Sequence, residues 1–134
     1  MPHLTNREMI VKAKTVLNPR EIYLGNRLGD VACALLSARG NLYLGVCIDI
    51  GSGIGFCAEH SAIAAMITAG ETAIARVVAI SSDGKVLPPC GRCRELMYEI
   101  DPSNLTMTEV ILGEGTSVRL SELLPHPYHE VWGE

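Results

Sequence analysis

The chain has 134 residues, of which 48% are hydrophobic, and its formal net charge is −4. A chain of this length buries most of its apolar surface without disulfide bonds, which predicts a single domain over residues 1–134. The acidic balance argues against nucleic acid as a partner. The sequence has no apolar run of about 18 residues that is free of charge or glycine, so a membrane span is not expected. The five cysteines and an N-terminal stretch without a signal-peptide pattern indicate the cytoplasm.

The first half of the chain predicts a helix followed by a hairpin. Apolar residues recur at helical spacing after a cap at Thr5 or Asn6, as far as about Leu17, where Asn18-Pro19 ends the helix. A loop that contains Tyr23 follows. Two apolar runs joined by Arg39-Gly40-Asn41 then predict a hairpin; they span Val31–Ala38 and Leu42–Ile50.

The second half alternates helices and strands. A helix over Glu59–Ala69 is apolar on nearly all sides, so we expect it to be buried. The strand Arg76–Ser81, a helix over Cys90–Ile100 and the strands Thr108–Leu112 and Thr116–Leu120 complete the pattern. The predicted fold is α/β, a three-layer α-β-α sandwich with a mixed five-stranded sheet and its two later helices side by side on one face.

Cysteines stand at the start of both of these later helices. Cys90 and Cys93 are three residues apart, so their thiols project to one side of the first helical turn, and Cys57 can supply a third thiol. Three thiolates around a tetrahedral Zn²⁺ leave the fourth position open, as in catalytic zinc sites. Glu59 lies two residues after Cys57, where it can reach a bound water without becoming a ligand. A Cys-x-Glu followed by Pro-Cys-x-x-Cys is the pattern of zinc deaminases.

Two other interpretations of Cys-x-x-Cys are open, a redox pair and half of a structural zinc site. A redox pair leaves Cys57, Glu59 and Pro88-Pro89 unexplained. A structural site needs a fourth protein ligand, most often from a second pair of the same kind, and the sequence has no second Cys-x-x-Cys. The catalytic interpretation is therefore preferred.

The expected chemistry assigns a role to each residue of the motif. Zinc lowers the pKa of water, and Glu59 carries protons from that water to a ring nitrogen and then to the departing amine. Three thiolates on one divalent ion leave a net charge of −1, so a nearby cation is expected. Arg92 is the first choice for this role, and Arg94 or a protonated His60 are alternatives.

From about Val31 onward the chain resembles the cytidine deaminase family, most clearly at Cys57-Ala58-Glu59 and Pro89-Cys90-Gly91-Arg92-Cys93-Arg94-Glu95. The resemblance implies a cytidine deaminase-like fold, zinc bound by the three motif cysteines, a proton-shuttling Glu59 and a small-molecule substrate. It also implies a homotetramer or homodimer whose subunits share active sites. Members of the blasticidin-S deaminase type are the most similar, because they share Pro-Cys-Gly-Arg-Cys-Arg and an aromatic C-terminal end, here Tyr128 and Trp132.

Some positions depart from the family pattern. Ordinary members hold ribose with an Asn-x-Glu pair, where this chain has Cys47 and Asp49, and they place a phenylalanine where Gly29-Asp30 stands here. They also commonly have arginine at the position of His60. We therefore expect Cys47, Asp49, Tyr128 and Trp132 to contact a substrate other than plain cytidine, although Cys47 can also be a simple core residue.

Two classes of function follow from the sequence. The preferred one is a zinc-dependent aminohydrolase that acts on a cytosine-like ring in a free nucleoside, base or nucleoside antibiotic. The alternative is a non-catalytic protein that binds zinc and a ligand on the same scaffold. The presence of Glu59 favours the enzyme, because a purely structural zinc site has no use for it.

Overall fold

The computed structural model describes residues 4–131, in which seven strands form one mixed sheet. The strands are β1 (Arg20–Tyr23), β2 (Asn26–Ser37), β3 (Leu42–Asp49), β4 (Ile74–Ser81), β5 (Val86–Leu87), β6 (Glu109–Gly113) and β7 (Thr116–Arg119). The helices are α1 (Asn6–Lys14), α2 (Ala58–Thr68), α3 (Gly91–Ile100), α4 (Asn104–Met107) and α5 (Leu120–Leu123), with 3₁₀ turns at Gly51–Gly53 and Tyr128–Val131. In this described part, no helix is long and apolar enough to cross a membrane.

The sheet is built around the long strand β2. β3 pairs with one edge of β2. Along the other edge, β1 pairs with the beginning of β2 and β4 pairs with the rest of the strand. The order then continues from β4 to β6 and β7, and β5 pairs with β4. Only β4 and β6 are parallel among these pairs, and the chain between them contains α3 and α4. This is the right length of connection for a parallel crossover.

One face of the sheet is covered by α1. A capping box begins this helix: the Thr5 hydroxyl accepts from the Glu8 N–H at 3.1 Å, and the Thr5 N–H donates to the Glu8 carboxylate at 2.9 Å. Three of its apolar residues are fully or almost fully buried against alternate residues of β2 and β4, whereas Val11 faces outward. This cluster contains Met9, Ile10, Ala13, Ala32, Ala34, Val78, Ile80 and Ile111.

The opposite face is covered by α2 and α3. The alternation of side chains along a strand turns Cys33, Leu35 and Val77 toward these helices. They pack against buried residues of the two helices, among them Ala62, Ile63, Met66, Cys93 and Met97. The predicted three-layer sandwich, with α2 and α3 on the same face, is therefore confirmed.

All five predicted strands are present, but the sheet is larger than expected. The segment around Tyr23, predicted as a loop, is strand β1, and it turns into β2 through Leu24 and Gly25, both with positive φ. β5 and α4 were not predicted either. The first helix ends at Lys14 rather than near Leu17.

A glycine sets how closely α2 approaches the sheet. A Cβ on Gly45 of β3 would lie 2.4 Å from the backbone nitrogen of Ala62 and 2.8 Å from the carbonyl oxygen of Ala58. We expect Gly45→Ala to lower the free energy of unfolding by about 1–3 kcal/mol, because the helix would have to move away from the strand. Urea unfolding measures this effect.

The matched control is Gly113→Ala in β6, where nothing lies within 4 Å of the added Cβ. Its unfolding midpoint should stay near the wild-type value. Equal midpoints for the two variants would show that the contact between α2 and β3 is not tight.

Candidate metal centre and active site

Three cysteines meet where α2 and α3 begin. Cys57 and Cys90 are the N-cap residues of the two helices, and Cys93 lies in the first turn of α3. The Cys57 and Cys90 sulfurs are 3.3 Å apart, and those of Cys90 and Cys93 are 3.5 Å apart. Zn–S bonds of about 2.3 Å in tetrahedral geometry place neighbouring sulfurs about 3.8 Å apart. The three sulfurs are therefore arranged closely enough to hold one zinc ion.

The local fold favours negative charge at one of these sulfurs, that of Cys90. Burial alone would raise the pKa of Cys90, but the backbone N–H groups of Cys93 and Arg92 donate to its sulfur and lower that pKa overall. Burial raises the pKa of Cys57 and that of Cys93. A thiolate at the fully buried Cys93 therefore needs a bound cation, so the donor set fits a divalent metal.

The metal cluster has no fourth ligand within the described residues. There, the group of three or more His, Cys, Asp or Glu residues whose ligand atoms all lie within 4.8 Å of one another consists of Cys57, Cys90 and Cys93. A tetrahedral ion would consequently keep one open position, as a catalytic zinc does.

Glu59 is in the first turn of α2 and only 4% exposed. Burial raises the pKa of its carboxyl group. It lines a cavity of about 160 Å³, which we call the inner cavity. The inner cavity is lined by Val31, Cys47, Cys57, Ala58, Glu59, Ala79, Leu87, Pro88 and Cys90. A buried carboxyl group thus shares a small and largely apolar space with two of the candidate ligands.

A larger cavity of about 370 Å³, the outer cavity, adjoins the inner one through Val31, Cys47 and Cys57. The outer cavity is lined by Asp30, Val31, Cys47, Ile48, Asp49, Ile50, Gly53, Gly55, Phe56, Cys57 and Arg92. The predicted substrate residues Cys47 and Asp49 are both in its wall. The Cys47 sulfur accepts from the Val31 N–H at 3.3 Å, and Asp49 is exposed.

Asp30 also lines the outer cavity, and sequence analysis did not single it out as a site residue. Its carboxylate accepts from the Arg27 guanidinium at 2.8 and 3.0 Å. This pair holds the pKa of Asp30 below its ordinary value. The outer cavity therefore has in its wall a carboxylate that is held by an ion pair.

The three candidate cations near the thiolates occupy different positions. Arg94 donates to the carbonyl oxygens of Pro89 at 2.7 Å and Leu123 at 3.1 Å, which ties α3 to its surroundings. Arg92 lines the outer cavity. His60 places its Nδ1 atom 3.6 Å from the Cys93 sulfur. Burial and, after it, the charge of Arg92 lower the pKa of His60, which disfavours the protonated form.

Of the two predicted aromatic residues of the C-terminal end, Tyr128 lines neither the inner nor the outer cavity. Tyr128 is 67% exposed, and its N–H donates to the Glu95 carboxylate at 3.1 Å on the outer side of α3. Its ring packs edge-on against His129, with centroids 5.0 Å apart. Trp132 lies outside the described residues.

Sequence analysis also missed Phe56. This residue lines the outer cavity and stacks on His60, with ring centroids 5.5 Å apart and an interplanar angle of 26°. A β-bridge to Ile48 fixes the backbone just before Cys57. The position of Phe56 directly before Cys57 was the feature of the sequence that could have identified it as a site residue.

Known proteins resemble the chain in sequence and in fold. It is 30% identical over 126 residues to a cytidine deaminase of Halalkalibacterium halodurans, covering 90% of this chain and 92% of the relative. It is 39% identical over 96 residues to one of Mycoplasma genitalium, covering 70% and 72%. The crystal structure of a cytidine deaminase from Mycobacterium tuberculosis superposes with a TM-score of 0.75 at 23% identity, covering 91% of this chain and 95% of that one. The structure from Burkholderia pseudomallei gives 0.72 at 23% identity, covering 93% and 100%. A scan against protein-family models gives no match.

The fold and the cysteine cluster define an α/β protein with a candidate metal centre at the N-termini of two neighbouring helices. The sequence relatives make the assignment more specific. The chain belongs to the cytidine deaminase family.

Proposed function

We propose that this protein is a zinc-dependent hydrolytic deaminase that acts on a cytosine-like ring in a small molecule and releases ammonia. One observation carries the proposal: the buried carboxyl group of Glu59 lines the same inner cavity as Cys57 and Cys90. A proton carrier and an open metal position are the two components that this reaction requires. Membership of the cytidine deaminase family supports the same conclusion.

The metal ligands, Glu59 and the apolar cavity wall have separate roles in the proposed reaction. Zinc, when bound by Cys57, Cys90 and Cys93, supplies a water molecule of lowered pKa and an electrophilic centre. Glu59 takes a proton from the attacking water and delivers it to the ring nitrogen, which activates the carbon that bears the amino group. Glu59 then takes the remaining proton of the added water oxygen and passes it to the departing amine, which leaves as ammonia while the carbon–oxygen bond becomes a carbonyl. The apolar walls at Val31, Ala79 and Leu87 suit a planar ring and keep bulk water away from these transfers.

An ammonia-release screen tests the proposed function. Zinc-loaded protein is incubated with cytosine, cytidine, deoxycytidine and blasticidin S. We expect ammonia from at least one of them in the wild type and little from Glu59→Gln. Binding of a cytosine compound without ammonia release would favour the alternative, a non-catalytic protein that binds zinc and a ligand.

We further propose that plain cytidine is a poor substrate and that blasticidin S, or a cytosine ring with another appendage than ribose, is a better one. Cys47 and Asp49 stand in the outer cavity wall where an Asn-x-Glu pair is expected to hold ribose. The Cys47 sulfur already accepts from a backbone N–H, and a thiol is a poor replacement for an amide. Each lost hydrogen bond to ribose weakens binding by about 0.5–1.5 kcal/mol.

This proposal predicts a gain of function. The double variant Cys47→Asn, Asp49→Glu restores the ribose-holding pair and should raise kcat/KM for cytidine by about 5- to 150-fold, the equivalent of two hydrogen bonds. Steady-state kinetics with cytidine, deoxycytidine and blasticidin S measure it. Asp49→Ala is the matched control, because it opens the same position without adding a hydrogen-bonding group.

A high activity of the wild type toward cytidine would contradict this prediction. A kcat/KM of about 10⁵ M⁻¹s⁻¹ for cytidine is within the usual range for a preferred substrate. Such a value would show that the protein binds ribose without the Asn-x-Glu pair. Zinc-dependent deamination would still stand in that case.

We also propose that the chain is a single cytoplasmic domain that assembles into a homotetramer or homodimer. In the assembly, Tyr128 and Trp132 would contact substrate in the outer cavity of a neighbouring subunit. The exposure of the Tyr128 ring and its position outside this chain's own cavities support this arrangement. Sedimentation of the full chain and of a chain truncated after Pro125 tests it, and a monomeric full chain would refute it.

A further inference from the structure

The His60 side chain lies beside the cysteine cluster without joining it. Its Nδ1 atom is 3.6 Å from the Cys93 sulfur, which is within hydrogen-bond distance for a sulfur acceptor. In the described part of the chain, the group of ligand atoms that lie within 4.8 Å of one another is limited to the three cysteines. His60 is therefore placed to contact one ligand and not the metal.

Two features fix the orientation of the imidazole ring. His60 lies three residues after Cys57, so α2 turns its side chain to the same side as the first cysteine. The ring of Phe56 then stacks on it at an interplanar angle of 26°. The stacking restrains the plane of the ring, and the contact with the Cys93 sulfur distinguishes between the two ring flips that this plane allows.

Cys93 is the cysteine that most needs such a partner. Its side chain is completely buried, whereas the Cys90 sulfur is more accessible and accepts from backbone N–H groups at the start of α3. A buried thiolate is stabilised when a donor faces it, and groups that hydrogen-bond to metal ligands orient those ligands and tune the metal.

We propose that His60 donates its Nδ1–H to the Cys93 thiolate and is a positioning residue for the zinc centre. This role requires a proton on Nδ1 and places no requirement on Nε2. The inference rests on the zinc centre of the proposed function but not on any substrate or turnover. Phe56 has the supporting role of holding the donor in line.

Zinc affinity of matched variants tests this inference. His60→Phe keeps a flat ring to pack against Phe56 but has no donor, and it should weaken zinc binding about 10- to 100-fold. His60→Asn places an amide N–H near the position of Nδ1 and should stay within about threefold of the wild type. Competition with a chromophoric chelator gives the dissociation constants.

A second pair of measurements separates a donor from a packing group. His60→Gln carries the same amide one methylene further out, so it should not restore the affinity that His60→Asn retains. In the cobalt(II)-substituted protein, the thiolate-to-metal absorption band should shift in His60→Phe and His60→Gln and return in His60→Asn. The comparison of Asn with Gln does not depend on how well His60→Phe folds.

Two results would overturn the inference. One is a His60→Phe variant that holds zinc as tightly as the wild type. The other is equal loss in His60→Asn and His60→Gln, which would indicate packing alone. A wild-type protein that fails to bind zinc is a different outcome, because it removes the proposed metal centre itself.

Discussion

Cys93→Ala is expected to lose most of its zinc, starting from about one ion per chain in the wild type. The Cys93 sulfur lies 3.5 Å from that of Cys90, and it is the completely buried member of the cluster. Its removal leaves two sulfurs, too few for a stable tetrahedral site with an open position. Cys90→Ala should behave in the same way. Metal analysis of the purified variants measures the effect.

Cys47→Ala is the matched control for the cluster. Cys47 is also a cysteine in the wall of the inner cavity, yet it is not one of the three clustered residues. Its removal should leave zinc content unchanged. Wild-type zinc content in Cys93→Ala and Cys90→Ala would disprove the assignment of these two ligands.

The second large effect is expected at Glu59. Glu59→Gln preserves the volume of a side chain that is only 4% exposed, but the amide cannot carry protons. We expect kcat to fall by at least about 10²-fold on the best substrate, while the variant keeps its zinc and its fold. Glu59→Ala should lose at least as much activity.

Zinc content and thermal melting of the Glu59 variants serve as controls for this experiment. If turnover stays close to the wild-type rate in a zinc-loaded Glu59→Gln protein, another group moves the proton and the assigned role of Glu59 is wrong.

The sequence predicted those parts of the fold that have strong periodicity or long apolar runs. The buried run of β4 is an example, since burial on both faces leaves a clear pattern. The helix α2 was predicted as well, but the expectation that it is buried on nearly all sides was wrong, because Ala64, Ala65 and Ile67 are exposed. β1 was missed because all four of its residues are exposed, and β5 because it has only two residues. Pairing with a longer neighbour, rather than an internal pattern, makes these segments strands.

The same distinction between local patterns and long-range packing applies to the residues of the candidate site. Cys57, Cys90 and Cys93 could be singled out because each helix start is marked locally, and the structure brings their sulfurs together. The contact between His60 and Cys93 could not be predicted, because the two residues are 33 positions apart in the chain and meet only through the packing of α2 against α3. Sequence analysis named His60 as an alternative cation, whereas the role proposed from the structure is that of a hydrogen-bond donor to Cys93.

The position of Asp30 in the wall of the outer cavity, beside the predicted Asp49, was not predicted from the sequence. Asp30 reaches the cavity wall because β2 is longer than predicted, and Arg27 on the same strand fixes its carboxylate. A propensity argument had no reason to connect these residues with Asp49 on β3. Only the register between β2 and β3, with Arg27 opposite Asp49, brings them together.

Deamination in isotopically labelled water tests the central claim most directly. Zinc-loaded protein is incubated in ¹⁸O-water with the best compound of the ammonia-release screen, and the product is analysed by mass spectrometry. Hydrolytic deamination predicts that each ring loses its amino group as ammonia and gains one labelled oxygen at the same carbon. If the compounds of the screen bind but none of them exchanges its amino group for labelled oxygen, the protein is not a deaminase of cytosine-like rings.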